Sequence, residues 1–381
     1  MRADDITVRV PVKRLLIGLS LTVVPLSILG MYIVNRADSE IREVTGRNIE
    51  TIAASSASRI SNYVHDRVIQ VGALAQMPAV LDAVTAANRA NGDASDAAFQ
   101  EKVNRIEKIW NTPAAETMVK LMLGSEAARM LRSQVAVDRR LLRITLTDGR
   151  GAAIAATHKT LDYYQADEEF WQKIQAQGRG ALNLTDILYD EVTKASYIGI
   201  GVPVMDPATN TFIGALDVLM ELSTIFPDAA TRQQGSSTRM MLVKQDGTII
   251  TGPGTTLSMN VKAPEWQALT AMGASLPLAG SQTLGLSGGG EKLVAYADTG
   301  LRGDYQNLAW TVLVTQDARE ALAPTRGIVR LSFVFMLAAL AALALLAVYF
   351  SLHRKVHYED VADAMEQQAA TQLTSERSRP V

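Results

Sequence analysis

The chain carries two uninterrupted apolar runs, Leu15–Val34 and Leu331–Leu352, neither of which contains Asp, Glu, Lys or Arg. At about 1.5 Å of rise per residue, each is long enough to cross a hydrocarbon core of about 30 Å, so two transmembrane helices are expected. The first run exceeds the apolar core of a secretory signal, and its exit, Ile33-Val34-Asn35-Arg36-Ala37, lacks a small-x-small cleavage pattern. Arg9, Lys13 and Arg14 precede the first run, and His353, Arg354, Lys355 and His357 follow the second. Such flanks predict that both termini are cytoplasmic and the intervening segment extracytoplasmic. The expected order is a cytoplasmic start at 1–14, a first span at 15–35, an extracytoplasmic domain at 36–326, a second span at 329–352 and a short cytoplasmic tail at 353–381.

Beyond the first run, apolar residues recur at helical spacing through Ile41, Val44, Ile49, Ile52, Ala53, Ala57, Ile60, Val64, Val68 and Val71, and the pattern breaks near Pro78. One long helix at about 38–76 is expected, with one stripe on the domain core and another face available to a homodimer seam. Helical texture continues to about Val137, with Trp110, Leu121 and Leu123 as core candidates. Near residue 140 the period changes to two. Leu142–Thr147 alternates, Asp148-Gly149 turns it into Ala152–Ala156, and Tyr197–Val204 with Phe212–Met220 makes a second strand pair. The same order returns at Arg239–Lys244, the turn Gln245-Asp246-Gly247 and Thr248–Ile250, closed by Leu293–Ala297 and Trp310–Thr315. The chain therefore reads as internally duplicated. The expected fold class is α+β: a long N-terminal helix and two tandem PAS-like antiparallel-sheet modules, distal at about 77–226 and proximal at about 227–322, flanked by the two spans.

Composition narrows the function. The 381 residues include no cysteine, 20% are charged, and the formal net charge is −2. Near-neutrality gives no basis for nucleic-acid binding. The missing thiols exclude disulfides and thiolate metal sites, and suit a periplasmic domain on a bacterial inner membrane. Gly285-Leu286-Ser287-Gly288-Gly289 fits a serine-hydrolase nucleophile pattern, but the only later histidines, His353 and His357, are expected across the membrane from Ser287. A Gly-rich loop between strands is the better reading. The four histidines show no zinc spacing, and no phosphate-binding loop is present. Neither enzyme activity nor a cofactor is expected.

The run Asp162-Tyr163-Tyr164-Gln165-Ala166-Asp167-Glu168-Glu169-Phe170-Trp171 is followed by Ile187-Leu188-Tyr189-Asp190 and Tyr197-Ile198-Gly199-Ile200-Gly201-Val202-Pro203-Val204. These segments resemble the ligand side of the membrane-distal module in double Cache sensor domains. Trp310–Asp317 similarly resembles the last strand of the proximal module, and the resemblance covers about residues 37–325. It implies a small-molecule sensor signalling to a cytoplasmic kinase, phosphatase, cyclase or chemotaxis protein. Tyr164, Trp171, Tyr189 and Tyr197 are candidates to wall a pocket, and Asp167, Glu168, Asp190 and Asp217 to add carboxylates. An acidic aromatic box suits a cation. In amino-acid-binding members an Arg just ahead of the aromatic pair clamps the ligand carboxylate. Here that position is Glu168, which moves the expectation toward an amine or another small polar metabolite. Against this stands a structural reading in which Asp167-Glu168-Glu169 opens a helix, Phe170 and Trp171 pack its inner face, and Asp190 serves a turn.

Residues 353–381 are too few for a kinase, cyclase or phosphatase domain. The expectation is a homodimeric sensor without a fused output domain, acting on a separate cytoplasmic partner. A membrane-anchored periplasmic assembly subunit with no ligand switch is the second reading.

Overall fold

The computed structural model describes residues 12–92, 94–190, 195–221, 237–272, 276–286, 290–321, 323 and parts of 333–349. The chain divides into two compact units, one of Met1–Glu43 with Ala321–Val381 and the other of Val44–Glu320.

Helix α1 runs over Val12–Ala75. Ile49, Ala53, Ala57, Ile60, Val64 and Val71 of the expected stripe are buried, whereas Val44 is exposed. The helix ends just ahead of Pro78, which opens α2 (Pro78–Gly92); a proline is tolerated at a first helical position because its missing N–H has no partner there anyway. Three more helices follow, α3 (Asp96–Trp110), α4 (Glu116–Gly124) and α5 (Glu126–Val137). Ser95 and Ser125 cap α3 and α5 by accepting from the N–H groups of Ala98 and Ala128. Trp110 is fully buried and donates to the Thr160 carbonyl at 3.0 Å. Leu121 departs from expectation. It is exposed, because α4 turns Met118, Val119, Met122 and Leu123 toward Trp110 and leaves Leu121 on the opposite arc.

The first sheet contains β1 (Leu141–Asp148), β2 (Ala153–Ala156), β3 (Asn183–Leu184), β4 (Leu188–Asp190), β5 (Ala195–Met205) and β6 (Phe212–Glu221), in the order β2-β1-β6-β5-β3 with β4 also on β5. The second contains β7 (Arg239–Lys244), β8 (Ile249–Gly252), β9 (Thr255–Thr256), β10 (Ala279–Leu286), β11 (Gly290–Asp298) and β12 (Trp310–Asp317), in the order β10-β11-β12-β7-β8-β9. The duplication is visible in the pairing: β1-β6-β5 and β7-β12-β11 are equivalent antiparallel triplets. In each, the first strand turns at its Asp-Gly. Asp148 Oδ1 accepts from the N–H groups of Arg150 and Ala152, and Asp246 Oδ1 from that of Thr248. Helix α6 (Glu169–Gln175) lies on the first sheet, and Leu269 of the helix Pro264–Ala271 joins the core of the second.

The segment between β3 and β4 straps one sheet to the other. Asp186 accepts from Lys244 Nζ at 2.7 Å and from Trp310 Nε1 at 2.9 Å. Lys244 also donates to the Ile187 carbonyl at 2.9 Å, and Asn307 Nδ2 to that of Leu184 at 2.8 Å. Lys244 and Trp310 are themselves cross-strand partners in the second sheet.

Among the described residues no single helix is long and apolar enough to cross a membrane. A shorter apolar stretch covers Ser20–Ile33, where Leu21, Leu26, Ile28 and Met31 are exposed. The second expected span, Leu331–Leu352, lies partly outside the described residues, and the tail at 353–381 wholly so.

Replacing Asp186 by Ala leaves Lys244 and the Trp310 indole N–H without their shared acceptor. Asp186→Ala is expected to cost about 1–3 kcal/mol, seen as a lower urea midpoint for the full-length chain. An unchanged midpoint would show that the strap holds nothing.

Candidate functional site

Antiparallel partners point their side chains to the same side of a sheet. Arg143 pairs with Leu219 and Leu219 with Gly199, while Thr145 pairs with Asp217 and Asp217 with Gly201. These odd-numbered positions therefore share one face. The even-numbered positions bury Ile144, Leu146, Leu216, Val218, Ile198 and Ile200 on the other, where Val84 of α2 stands against Gly214. Gly201 admits α6 to the odd face, since a Cβ there would lie 2.4 Å from Ile174 Cδ1. At Gly199 the strap enters instead, and Thr185 Oγ1 accepts from the Gly199 N–H at 2.7 Å. Between this face, the segment 160–170 and the strap lies a cavity of about 300 Å³.

Four charged side chains line it: Arg143 and Asp217 from the sheet, Asp162 and Glu168 from the segment above. Burial pushes the Asp217 carboxyl up to about 6, and the opposing pull of Arg143 offsets this only in part. No hydrogen bond from the described residues holds that carboxylate, and Arg143 Nε is buried without a partner. Burial likewise raises Asp162, with Glu107 and Glu168 adding to the shift; Gln165 Nε2 donates to its carboxylate. Glu107 fastens the segment to α3 by accepting from the N–H groups of Tyr163 at 2.7 Å and Tyr164 at 2.6 Å. Leaving a buried polar group unpaired costs about 1–3 kcal/mol. A cavity with three carboxylates and one guanidinium suits a molecule with a cationic group and an acceptor for the arginine.

Of the residues singled out in the sequence, Glu168, Tyr197 and Asp217 line the cavity. Tyr164, Asp167, Trp171 and Tyr189 are not among its lining residues. Trp171, expected in the wall, is instead buried beneath α6: its indole N–H donates to Thr147 Oγ1 at 3.0 Å, and its ring meets Phe212 edge-on at 6.0 Å. The reason is helical phase, which turns Trp171 and Ile174 to the sheet while Phe170 reaches the cavity. Tyr164 packs edge-on against Phe99, 6.4 Å away, and bridges to Ala152. Asp167 is exposed, and its carbonyl accepts from Gln172 Nε2. Tyr189 alternates with the lining residue Leu188 and so points the other way. Asp190 ends β4, but its side chain lies outside the described residues. Sequence reasoning missed Arg143, Asp162 and Thr185. A signal for Arg143 exists in the alternation of Arg143 and Thr145 with Ile144 and Leu146, which marks a polar face on a strand covered on both sides.

The raised Asp217 makes the stability of the chain depend on pH. Its burial costs nothing below the ordinary value of 3.8, and destabilises the ligand-free chain increasingly as pH rises toward about 6, above which the cost is constant. Asp217→Asn is therefore expected to raise the free energy of unfolding at about pH 8, by on the order of 2–3 kcal/mol, and to do so far less at about pH 4. Equal effects at both pH values would contradict the burial of this charge. Trp171→Ala, by contrast, is expected to destabilise the chain by about 3–5 kcal/mol at either pH, as loss of a core indole does. Denaturant titration checks both.

The dCache_1 family model, described as a Cache domain, matches residues 37–325. No curated protein matches the chain. Among solved structures, the ligand-binding domain of the Pseudomonas aeruginosa PAO1 amino acid chemoreceptor PctC in complex with GABA is similar at 17% identity, covering 72% of this chain and 100% of that one with a TM-score of 0.45. The ligand-binding domain of the Campylobacter jejuni chemoreceptor Tlp3 in complex with 4-methylisoleucine is similar at 14% identity over 73% of this chain and 93% of that one, with a TM-score of 0.45. That of the Pseudomonas fluorescens chemoreceptor CtaA in complex with L-leucine is similar at 14% identity over 74% and 99%, with a TM-score of 0.44. The family match spans most of the chain and both sheet modules, and the chain belongs to the dCache_1 family of Cache domain proteins.

Proposed function

We propose that the chain is a membrane-bound extracytoplasmic sensor whose distal module, at about 77–226, binds a small polar metabolite carrying an amine. One observation carries this reading: Arg143 and Asp217 face the same cavity from adjacent strands, and neither Arg143 Nε nor the Asp217 carboxylate has a protein hydrogen-bond partner among the described residues. The amine pairs with Asp217, supported by Glu168 and Asp162 at the rim, and Arg143 takes an acceptor on the same molecule. Tyr197 and Phe170 supply apolar wall.

The strap gives the ligand a route outward. Thr185 and Leu188 line the cavity, and Asp186 between them holds Lys244 and Trp310 of the proximal module. A ligand biases such a two-module arrangement only by its differential affinity, about 1–3 kcal/mol of coupling in most systems. The proximal module, at about 227–322, passes the bias to the second span of a homodimer, and a separate cytoplasmic kinase, phosphatase, cyclase or chemotaxis protein reads it. The apolar runs Leu15–Val34 and Leu331–Leu352 anchor the chain in a bacterial inner membrane with both termini cytoplasmic.

A thermal-shift panel of amines, amino acids, purines and carboxylates on the full-length chain tests the site. A compound at about 100 times its dissociation constant adds about 2.7 kcal/mol of stability. The expected hits carry an amine and bind at least about tenfold more weakly to Asp217→Asn and to Arg143→Gln. Silence across the panel from a folded chain, or a panel in which every hit is indifferent to both substitutions, would contradict the reading.

A further inference from the structure

The second sheet holds a cavity of its own, about 330 Å³, beside the helix Pro264–Ala271. Its place follows from the duplication. Thr145 in the first module and Val243 in the second stand the same distance ahead of their turn aspartates, Asp148 and Asp246. Thr145 pairs with Asp217 and Asp217 with Gly201; Val243 pairs with Thr311 and Thr311 with Asp298. The cross-strand row that places an acid in the distal cavity thus carries Thr311 and Asp298 in the proximal one, the acid displaced by one strand. Both residues line this second cavity.

The rest of its lining is chemically specific. Trp266 lines it, held by an indole N–H that donates to the Gln245 carbonyl at 3.0 Å, and Tyr296, which is 3% exposed and part of the core of the second sheet, lines its floor. Leu276 and Leu278 form an apolar lip on which Leu278 is 78% exposed. Asp298 Oδ1 accepts from the Gly300 N–H at 2.6 Å, and Arg302 stands exposed at the rim. Neither Asp298 nor Arg302 joins an ion pair among the described residues, although the two charges line one cavity. A carboxylate beside aromatic residues attracts a cationic head, an arginine takes a carboxylate, and the apolar lip covers a hydrocarbon body.

We propose that the proximal module contains a second small-molecule site, selective for an amphipathic zwitterion with an aromatic or bulky apolar body. The ammonium meets Asp298 between Trp266 and Tyr296, the carboxylate meets Arg302, and the body lies on Trp266 and Leu278. Lys244 and Trp310, which hold the strap, alternate along their strands with the lining residues Gln245, Ala309 and Thr311, so the joint lies on the opposite face of the strands that line this cavity.

Calorimetric titration of the full-length chain with L-phenylalanine, phenethylamine and phenylacetate, which share a body and differ in their charged heads, tests the site. L-phenylalanine is expected to bind most tightly, with each single-headed probe about tenfold weaker. Its affinity is expected to fall at least about tenfold in Arg302→Ala and in Asp298→Asn, and to persist in Asp217→Asn, whose change lies in the other cavity. Arg302 is exposed, and the amide introduced by Asp298→Asn retains an Oδ1 acceptor for the Gly300 N–H, so both variants keep the local fold. No saturable binding of any probe, an affinity unchanged in either proximal variant, or binding lost in Asp217→Asn would overturn the proposal. The last outcome assigns the probe to the distal cavity and leaves the distal reading standing, whereas failure of the proximal variants alone leaves it untouched.

Discussion

The pairing register of β6 between β1 and β5 determines which side chains the first sheet turns into its cavity. Side-chain direction alternates with a period of two, so a slip of one residue would carry Asp217 and Leu219 under the helices and bring Leu216 and Val218 into the cavity. What holds the register is the other face. Ile144, Leu146, Leu216, Val218, Ile198 and Ile200 are buried there, and each is worth about 1.5–3 kcal/mol of apolar burial. The same core energy that folds the module therefore fixes Arg143 and Asp217 opposite the strap, without any hydrogen bond spent on aiming them.

Such placement has a local cost. Above about pH 6 Asp217 is charged in a buried position where no described donor meets it, and Arg143 relieves only part of the penalty. Displaced carboxyl groups of this kind mark functional sites more often than structural ones, because a purely structural position gains nothing by keeping a buried charge unpaired. The side chains of the strap divide between tasks, with Thr185 and Leu188 on the cavity and Asp186 on Lys244 and Trp310.

Much of the fold is legible in the sequence because its signals are local. The alternation in Leu142–Thr147 and the Asp-Gly turns mark the first hairpin of each module, and the spacing from Ile49 to Val71 marks the long helix. Strand β10 is not legible, since Ala279–Leu286 is a Gly-, Ser- and Thr-bearing edge in which only Leu284 is deeply buried. The site divides the same way. Asp217 is conspicuous as a charge within the apolar Phe212–Met220, and Glu168 and Tyr197 fall in segments with recognisable texture. Arg143 belongs to no local motif. Its meaning arises from a cross-strand row with Leu219 and Gly199, which are far away in the chain. Trp171 misleads for the converse reason: an aromatic next to acids looks like a pocket wall, but only the phase of α6 on the sheet decides that Phe170 faces the cavity and Trp171 the core.

Hydrogen–deuterium exchange of the full-length chain, with and without a saturating amine that binds it, tests the central claim most directly. Slowed exchange is expected in segments 160–170 and 183–188, extending across the strap to Lys244 and Trp310. Binding that slows exchange elsewhere while leaving these segments unchanged would contradict it.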